Sequence, residues 1–298
     1  MEKGRWCLLA NKEYEDYLKF VDSALELAKK IPKYFSKFSN RIYCNHQKLV
    51  IYVLMQKLKL TTRGVISFLR SNSNLALHFG LIKIPVHTTI VRFTIKIKKI
   101  IGLLLDIRQA DTVAIDATGF ELESKSFYYR NINKQLFPEY QRKTKKYMKL
   151  SIVIDTDKQL ILKFKINKKA GRDNYNYVKD LIRDIKFRYL IGDKGYDSKF
   201  TRGFIIRKLK AIPVIPSARH DNFYGYIGNK KISGANYHQR SKIETVFSVI
   251  KRKYGSVLRN RSYTTQQVEL ISKLIVYNLD RNLNYLIRLI IGLHQSPV

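Results

Sequence analysis

DTVAIDATGF, residues 111–120, is the stretch where the chain changes texture. Before it, apolar residues recur at helical spacing. From it onward they come in short β-branched runs bounded by polar turns. The stretch itself predicts a buried strand with Asp116 near its end. Downstream, KLSIVIDTDKQLILKFKIN (149–167) alternates on both sides of DTDKQ and predicts a β-hairpin. FRYLIGDKGYDS (187–198) predicts a second buried strand running into a Gly-containing turn, and AIPVIPS (211–217) a further short one. Helices are expected up to residue 186, with Asp173 or Asn174 as cap, and over 198–209, with Asp197 as cap. The order is strand, strand, strand, helix, strand, helix, strand, helix, which is an α/β mixed sheet with helices packed on it.

Upstream the periodicity predicts helices over 12–34 and 46–58, a helix over 62–71 capped by Thr61 or Thr62, and one over 86–107. The pair 62–71 and 88–104 suggests a helix-turn-helix-like DNA reader. Any helical bundle would show the same pattern. The shift from helix to strand places a boundary near 106–110, dividing the chain into a helical region 1–106 and a second domain 107–298. Residues 121–149 form a polar, basic connection suited to a phosphate backbone, and 218–236 a Gly/Asn-rich loop. A long helix over 264–293 closes the chain. Lys273, Asp280, Arg281 and Arg288 interrupt its apolar run, which makes it amphipathic and unfit to span a membrane.

The charge narrows the function. In 298 residues there are 57 Lys+Arg against 23 Asp+Glu, a formal net charge of +34. A folded chain this basic repels itself unless a polyanion supplies counter-charge. Nucleic acid is the first candidate, an anionic membrane the second, and a ribosomal-type structural role the third. Cys7 and Cys44 are too few for a disulfide framework or a Cys-based zinc site. The N-terminus has no apolar signal core.

YHQRSKIETVFSVIK (237–251) carries the densest chemistry. As a helix it sets Tyr237, Arg240, Glu244 and Lys251 within an arc of about 60°. Ile243, Val246, Phe247, Ile250 and Tyr254 form an adjacent apolar stripe. Together with Asp116 and Asp193, Glu244 makes three acids at positions where carboxylates are costly unless something offsets them. A divalent-metal site suits this set: two Mg2+, with Mn2+ as a substitute, bridging the acids and a scissile phosphate for in-line phosphoryl transfer. Each acid also has a plainer reading. Asp116 is then a strand-end turn acid, Asp193 initiates the GDKGYD turn, and Glu244 pairs along its own helix with Arg240 or Lys251.

The spacing Tyr237–x2–Arg240–x3–Glu244–x6–Lys251 resembles the Tyr-Arg-Glu-Lys signature of DDE transposases of prokaryotic insertion sequences, in the related families numbered four and five. IDATGF and IGDKGYDS resemble the segments bearing that family's first and second Asp. The resemblance covers about 111–255. It implies an RNase H-like catalytic core preceded by a helical DNA-binding region. It implies Asp116, Asp193 and Glu244 as catalytic metal ligands, and Tyr237, Arg240 and Lys251 as contacts to transposon-end DNA. It further implies double-stranded DNA partners (terminal inverted repeats and target), an active homodimer, and the cytoplasm of a prokaryotic host. Some relatives carry a large β-rich insertion before the Glu helix, where this chain has only about 20 residues, so no residue of that insertion is carried over. Two other functions fit the same residues: an RNase H-like metal nuclease without strand transfer, and a non-catalytic DNA-binding protein derived from a transposase.

Overall fold

The structure, a computed structural model, describes residues 2–105, 107–122, 147–167, 175–217 and 237–294, with side chains for all of these but 2–14, 175–176 and 284–294. The basic segment 123–146, the caps expected at Asp173 or Asn174, and the stretch 218–236 lie outside the described residues. The chain divides into two compact units, Met1–Leu104 with Ser262–Val298, and Leu105–Arg261.

The first unit is helical: α1 (Glu2–Ala28), α2 (Asn45–Lys57), α3 (Thr62–Ser71), α4 (Ser73–His78), α5 (His87–Ile97) and a C-terminal helix, α9 (Tyr263–His294). Local chemistry sets the starts. The Cys44 thiol accepts from the Gln47 N–H while the Gln47 side chain accepts from the Cys44 N–H, closing a capping box on α2. Thr61 Oγ1 accepts from Gly64 N at 3.0 Å and caps α3. The long helix expected over 86–107 is broken. It ends at Ile97 and resumes as a 3-10 turn, Ile101–Leu105.

The first unit breaks off at Leu104 and resumes with α9, which was read in the sequence with the second domain and here packs against α1, α2 and α5. The centre of α9 is not amphipathic either, since every residue from Val268 to Leu279 is buried. The charges misled because Lys273 lies one turn from Glu269, Nζ to Oε1 at 3.6 Å, with both side chains buried. Paired in this way, they sit within an otherwise apolar helix that is core on all sides. Farther along, Asp280 accepts from Lys57 Nζ of α2 at 2.6 Å.

The second unit is a six-stranded mixed sheet flanked by helices, as expected for an α/β fold. Its strands are β1 (Thr112–Leu122), β2 (Tyr147–Asp155), β3 (Ile161–Asn167), β4 (Tyr189–Gly192), β5 (Ile212–Val214) and β6 (Val257–Leu258). The order is β3-β2-β1-β4-β5, with β6 alongside the end of β1. β2 runs antiparallel to β1 and β3, whereas β4, β5 and β6 run parallel to the β1 direction. The expected hairpin is β2–β3. Its turn is held by Asp155 Oδ1, which accepts from Asp157 N at 2.8 Å and Lys158 N at 3.2 Å.

The helices α6 (Tyr175–Ile182) and α7 (Lys199–Arg207) cover one face of this sheet. There Val113, Ile115, Val153 and Leu190 pack with Val178, Leu181, Ile182 and Ile205. Successive strand residues point to opposite faces. Asp116, Thr118 and Phe120 therefore share the other face, and α8 (Ser241–Tyr254) lies against it. The stripe predicted for this helix is the buried one: Ile243, Val246, Phe247, Ile250 and Tyr254. Gly255 ends it at φ 92°, a conformation costly for any residue with a Cβ, and donates its N–H to Lys251 O at 3.1 Å.

Candidate active site

Strand register brings the two aspartates together. β1 and β4 are paired in parallel, with Ile115 opposite Gly192 as the last pair. Asp116 and Asp193 are the next residues along, so they stand side by side, about 4.8 Å apart at strand spacing. Asp193 follows the end of β4, but Asp116 is not the strand-end acid expected, because β1 runs on to Leu122 and pairs Asp116 with Ile152 of β2. The two positions share parity and therefore the face under α8. Gly192 makes the approach possible. A Cβ there would lie 3.3 Å from Ile115 Cγ2 and 3.4 Å from Ile215 Cγ1.

Asp193 stands before the 3-10 turn Lys194–Tyr196. Its carbonyl accepts from Tyr196 N at 2.9 Å, but its side chain makes no capping hydrogen bond. It thus initiates the turn through its backbone and leaves the carboxylate to the site. The turn is braced from below. Arg202 donates from Nε to Asp197 Oδ1 at 2.6 Å and from Nη2 to the Ile215 carbonyl at 2.6 Å. Asp197 was expected to cap α7. That role falls to Ser198, whose Oγ accepts from Thr201 N at 3.0 Å.

Residues 237–240 form a 3-10 turn rather than the first turn of the α-helix, and this turn packs against β4. It carries Arg240 to the acids. Glu244 is exposed, and one of its oxygens accepts from Arg240 Nη2 at 2.9 Å. Of the two partners weighed for Glu244 along its helix, Arg240 is the one it meets. Lys251 donates instead to Thr118 Oγ1 of β1 at 2.7 Å, with its ammonium 5.5 Å from the centre of the Phe120 ring. Thr118 and Phe120 were not singled out from the sequence. The period of two along β1 from Asp116 was the available clue.

The electrostatics tie these groups into one site. Burial pushes the Asp116 carboxyl above its ordinary pKa. A hydrogen bond from Ala117 N to Oδ1 (2.8 Å) and the Arg240 charge oppose the rise, while the negative charges of Asp193 and Glu244 add to it. Burial works against the Arg240 charge. A hydrogen bond with Tyr237 and the charges of Tyr237, Asp193 and Glu244 outweigh that and raise its pKa. Arg240 Nε is nonetheless buried without a hydrogen-bond partner. Three acids and one arginine thus feel one another, with like charge accumulated on Asp116.

This donor set has the chemistry a hard divalent ion takes, oxygen ligands of accumulated negative charge. Among the described residues, no three His, Cys, Asp or Glu side chains converge tightly enough to grip one ion as they stand. Glu244 is instead engaged by Arg240 along its own helix.

The sequence pattern of the family described as "Transposase DDE domain" matches residues 107–279, well over half of the chain. The chain belongs to the transposase DDE-domain family. The match spans the sheet unit and continues into the first half of α9. No curated protein matches the chain in sequence. Among solved structures, one similar to this chain is the cryo-EM structure of a piggyBac transposase synaptic complex with hairpin DNA. That similarity has 11% identity over 87% of this chain and 70% of the other, with a TM-score of 0.47. Among the described residues, no helix of this DDE-family protein is long and apolar enough to cross a membrane.

Proposed function

We propose that this DDE-family protein is the transposase of a prokaryotic insertion sequence, cutting DNA at the element's ends and joining the freed 3′-hydroxyl to target DNA. The observation that carries the reading is the charge-coupled set where β4 ends beside the middle of β1. Asp116 and Asp193 stand in register, and Asp116 is raised by burial and by both other acids. Groups perturbed in this way concentrate where chemistry is done. The strand order, with β2 antiparallel between β3 and β1, supports assigning the sheet to the RNase H-like class.

Asp116, Asp193 and Glu244 would hold two Mg2+ or Mn2+. The ions, when bound, would supply charge for the scissile phosphate and activate the attacking oxygen. The chain's own part is positional. Asp193 keeps its side chain out of the turn it starts. Glu244 reaches the acids once Arg240 turns to a DNA phosphate, for which the buried Nε–H is an unspent donor. Tyr237 orients Arg240, and Lys251 contacts end DNA from α8. In strand transfer the 3′-oxygen forms a bond to a target phosphorus as that phosphorus loses its bond to the neighbouring 3′-oxygen. No residue of the protein need become covalently attached to DNA. In the helical unit, α5 is the DNA-reading element of the α3–α5 region, with Thr88, Arg92 and Lys96 exposed along one side. Two element ends held together make a homodimer the working species, in the cytoplasm of its host.

The test pairs activity with binding. Asp116→Asn, Asp193→Asn and Glu244→Gln should each abolish cleavage of end-containing DNA while leaving its affinity intact. Normal cleavage by any of the three sinks the reading. Arg240→Ala should weaken end binding and lower the salt slope by about 1. Joining of a precut end to plasmid DNA separates a transposase from a nuclease that only hydrolyses. Binding with no cleavage in Mg2+ or Mn2+ would point to the non-catalytic descendant.

A further inference from the structure

The face of the sheet opposite Asp116 carries a second basic feature. Between α6 and α7 lies a cavity of about 760 Å³. Lys179 and Arg183 line it from the α6 side, and Lys199, Arg207 and Lys208 from α7, against a single acid, Asp184. That acid is already engaged by Lys163 and by Arg183 Nε at 3.5 Å. All of these cations but Lys179 are well exposed. The groove also has aromatic walls. Phe200, in the first turn of α7, is 73% exposed. Phe204 follows one turn on, with Lys179 Nζ 5.8 Å from its ring centre. Gly203 lies between them, and a Cβ added there would meet nothing within 4 Å. The middle of the groove is therefore open.

Five cations around one occupied acid select an anionic occupant. A second copy of this chain docking by two-fold symmetry would set these cations on one another. A lipid surface favours a convex, protruding patch, whereas this one is concave. An acidic peptide would be held by the cations but gives no reason to leave a large aromatic ring in water at the groove's edge. A polymer that carries both phosphates and flat π-faces accounts for both features. A duplex hides its base faces, so the exposed ring favours unpaired bases. We propose that the α6–α7 groove binds a single-stranded segment of nucleic acid, its phosphates following the Lys and Arg side chains and a base stacking on Phe200. This site lies across the sheet from Asp116 and needs neither the metal nor the reaction proposed there.

The experiment uses the full chain in EDTA and at a salt concentration that suppresses diffuse binding to a protein of charge +34. Fluorescence anisotropy compares a labelled single strand of about 12 nucleotides with its duplex. Phe200→Ala removes the stacking surface without changing charge, and Phe200→Tyr restores it. Gly203→Glu sets a carboxylate in the open middle of the groove and improves helix propensity. The expected result is about a tenfold loss of single-strand affinity for Phe200→Ala. Phe200→Tyr should bind as the wild type, Gly203→Glu should lose at least as much as Phe200→Ala, and duplex affinity should not change. Photo-cross-linking of a strand carrying 5-iododeoxyuridine should label a peptide containing Phe200. Wild-type single-strand affinity in both Phe200→Ala and Gly203→Glu overturns the proposal. So does an equal loss for the duplex, or a loss confined to phosphatidylserine vesicles. Thermal melting confirms folding, and Phe200→Ala decides alone should Gly203→Glu not fold. Because binding is read without divalent ion or cleavage, failure here leaves the catalytic reading standing.

Discussion

Glu269 and Asp116 both give up water on folding, and their surroundings treat them in opposite ways. Glu269, in the middle of α9, is 3% exposed and has Lys273 one turn away at 3.6 Å. Asp116, half-buried in the middle of β1, has two further acids as electrostatic neighbours, with Arg240 set against them. The first arrangement neutralises a charge that the packing has taken out of water. The second sets two further acids beside a carboxyl whose pKa burial has already lifted, and they add to that rise. A fold concerned only with stability would repeat the Glu269 solution. On the proposed function, the contrast separates an acid kept for architecture from one kept for chemistry.

The largest effect should come from breaking the paired acid. Lys273→Ala leaves the Glu269 carboxylate buried without its neighbouring cation, and the expected cost is about 3–5 kcal/mol in urea unfolding. Replacing both residues, Glu269→Leu with Lys273→Leu, should recover most of that loss. Asp116→Asn, by contrast, removes a repelled charge and should leave stability unchanged or higher. If Asp116→Asn costs as much as Lys273→Ala, the distinction between the two acids collapses.

The same contrast explains what could be read from the chain. Asp116, Asp193 and strands β1 and β4 were legible because a short β-branched run carrying an acid is a local pattern, although that pattern ends β1 too early, before its pairing with β2 through Glu121. The buried stripe of α8 was legible for a similar reason, its period of 3.6. The fate of α9 was not. Lys273 and Asp280 look like solvent markers in sequence, and only packing shows that Glu269 and Lys57 answer them. The break after Ile97 carries no Pro or Gly until Gly102, so periodicity ran on through it. β6, at two residues, is too short for any pattern. The Arg240–Glu244 contact was foreseen as one option. That Lys251 turns to Thr118 depends on where α8 lies over β1, a tertiary fact with no local trace.

A divalent ion should act on one acid only. Saturating Mg2+, at about 100 times its dissociation constant, should stabilise the wild type by about 2.7 kcal/mol. The expected gain in Asp116→Asn is much smaller, and Lys273→Ala should keep the full increment relative to its own baseline. Thermal unfolding with and without EDTA measures this. An increment that survives Asp116→Asn would mean that the ion binds elsewhere.

The next effect is a slope. Because the folded Asp116 pKa is raised, both states are protonated well below the ordinary carboxylate value of about 3.9, and the site costs nothing there. As pH rises from that value through the raised folded one, the unfolded chain releases its proton first. The native state then binds more protons, so stability falls with pH across this window and levels off above it. Subtracting the Asp116→Asn profile from that of the wild type should isolate a falling step. A rising step would mean that the Ala117 hydrogen bond and Arg240 together outweigh burial and the two acids, and that Asp116 is, like Glu269, a compensated charge.

The smallest effect concerns the cation beside the acids. Lys251 is held by β1: its ammonium donates to Thr118 Oγ1 at 2.7 Å and sits over Phe120. A lysine that served only to grip DNA would gain nothing from that tether in the free protein. Lys251→Met keeps the stem over the ring, and Thr118→Val keeps the shape of the strand, so together they close a double-mutant cycle around one hydrogen bond. The expected coupling is about 1 kcal/mol in unfolding free energy. It should shrink once end DNA is bound, because the ammonium then has a phosphate to answer. Coupling that is the same with and without DNA would assign Lys251 to the architecture, alongside Lys273. Coupling of zero in the free protein would leave phosphate contact as its role and make the contrast between the two regions sharper still.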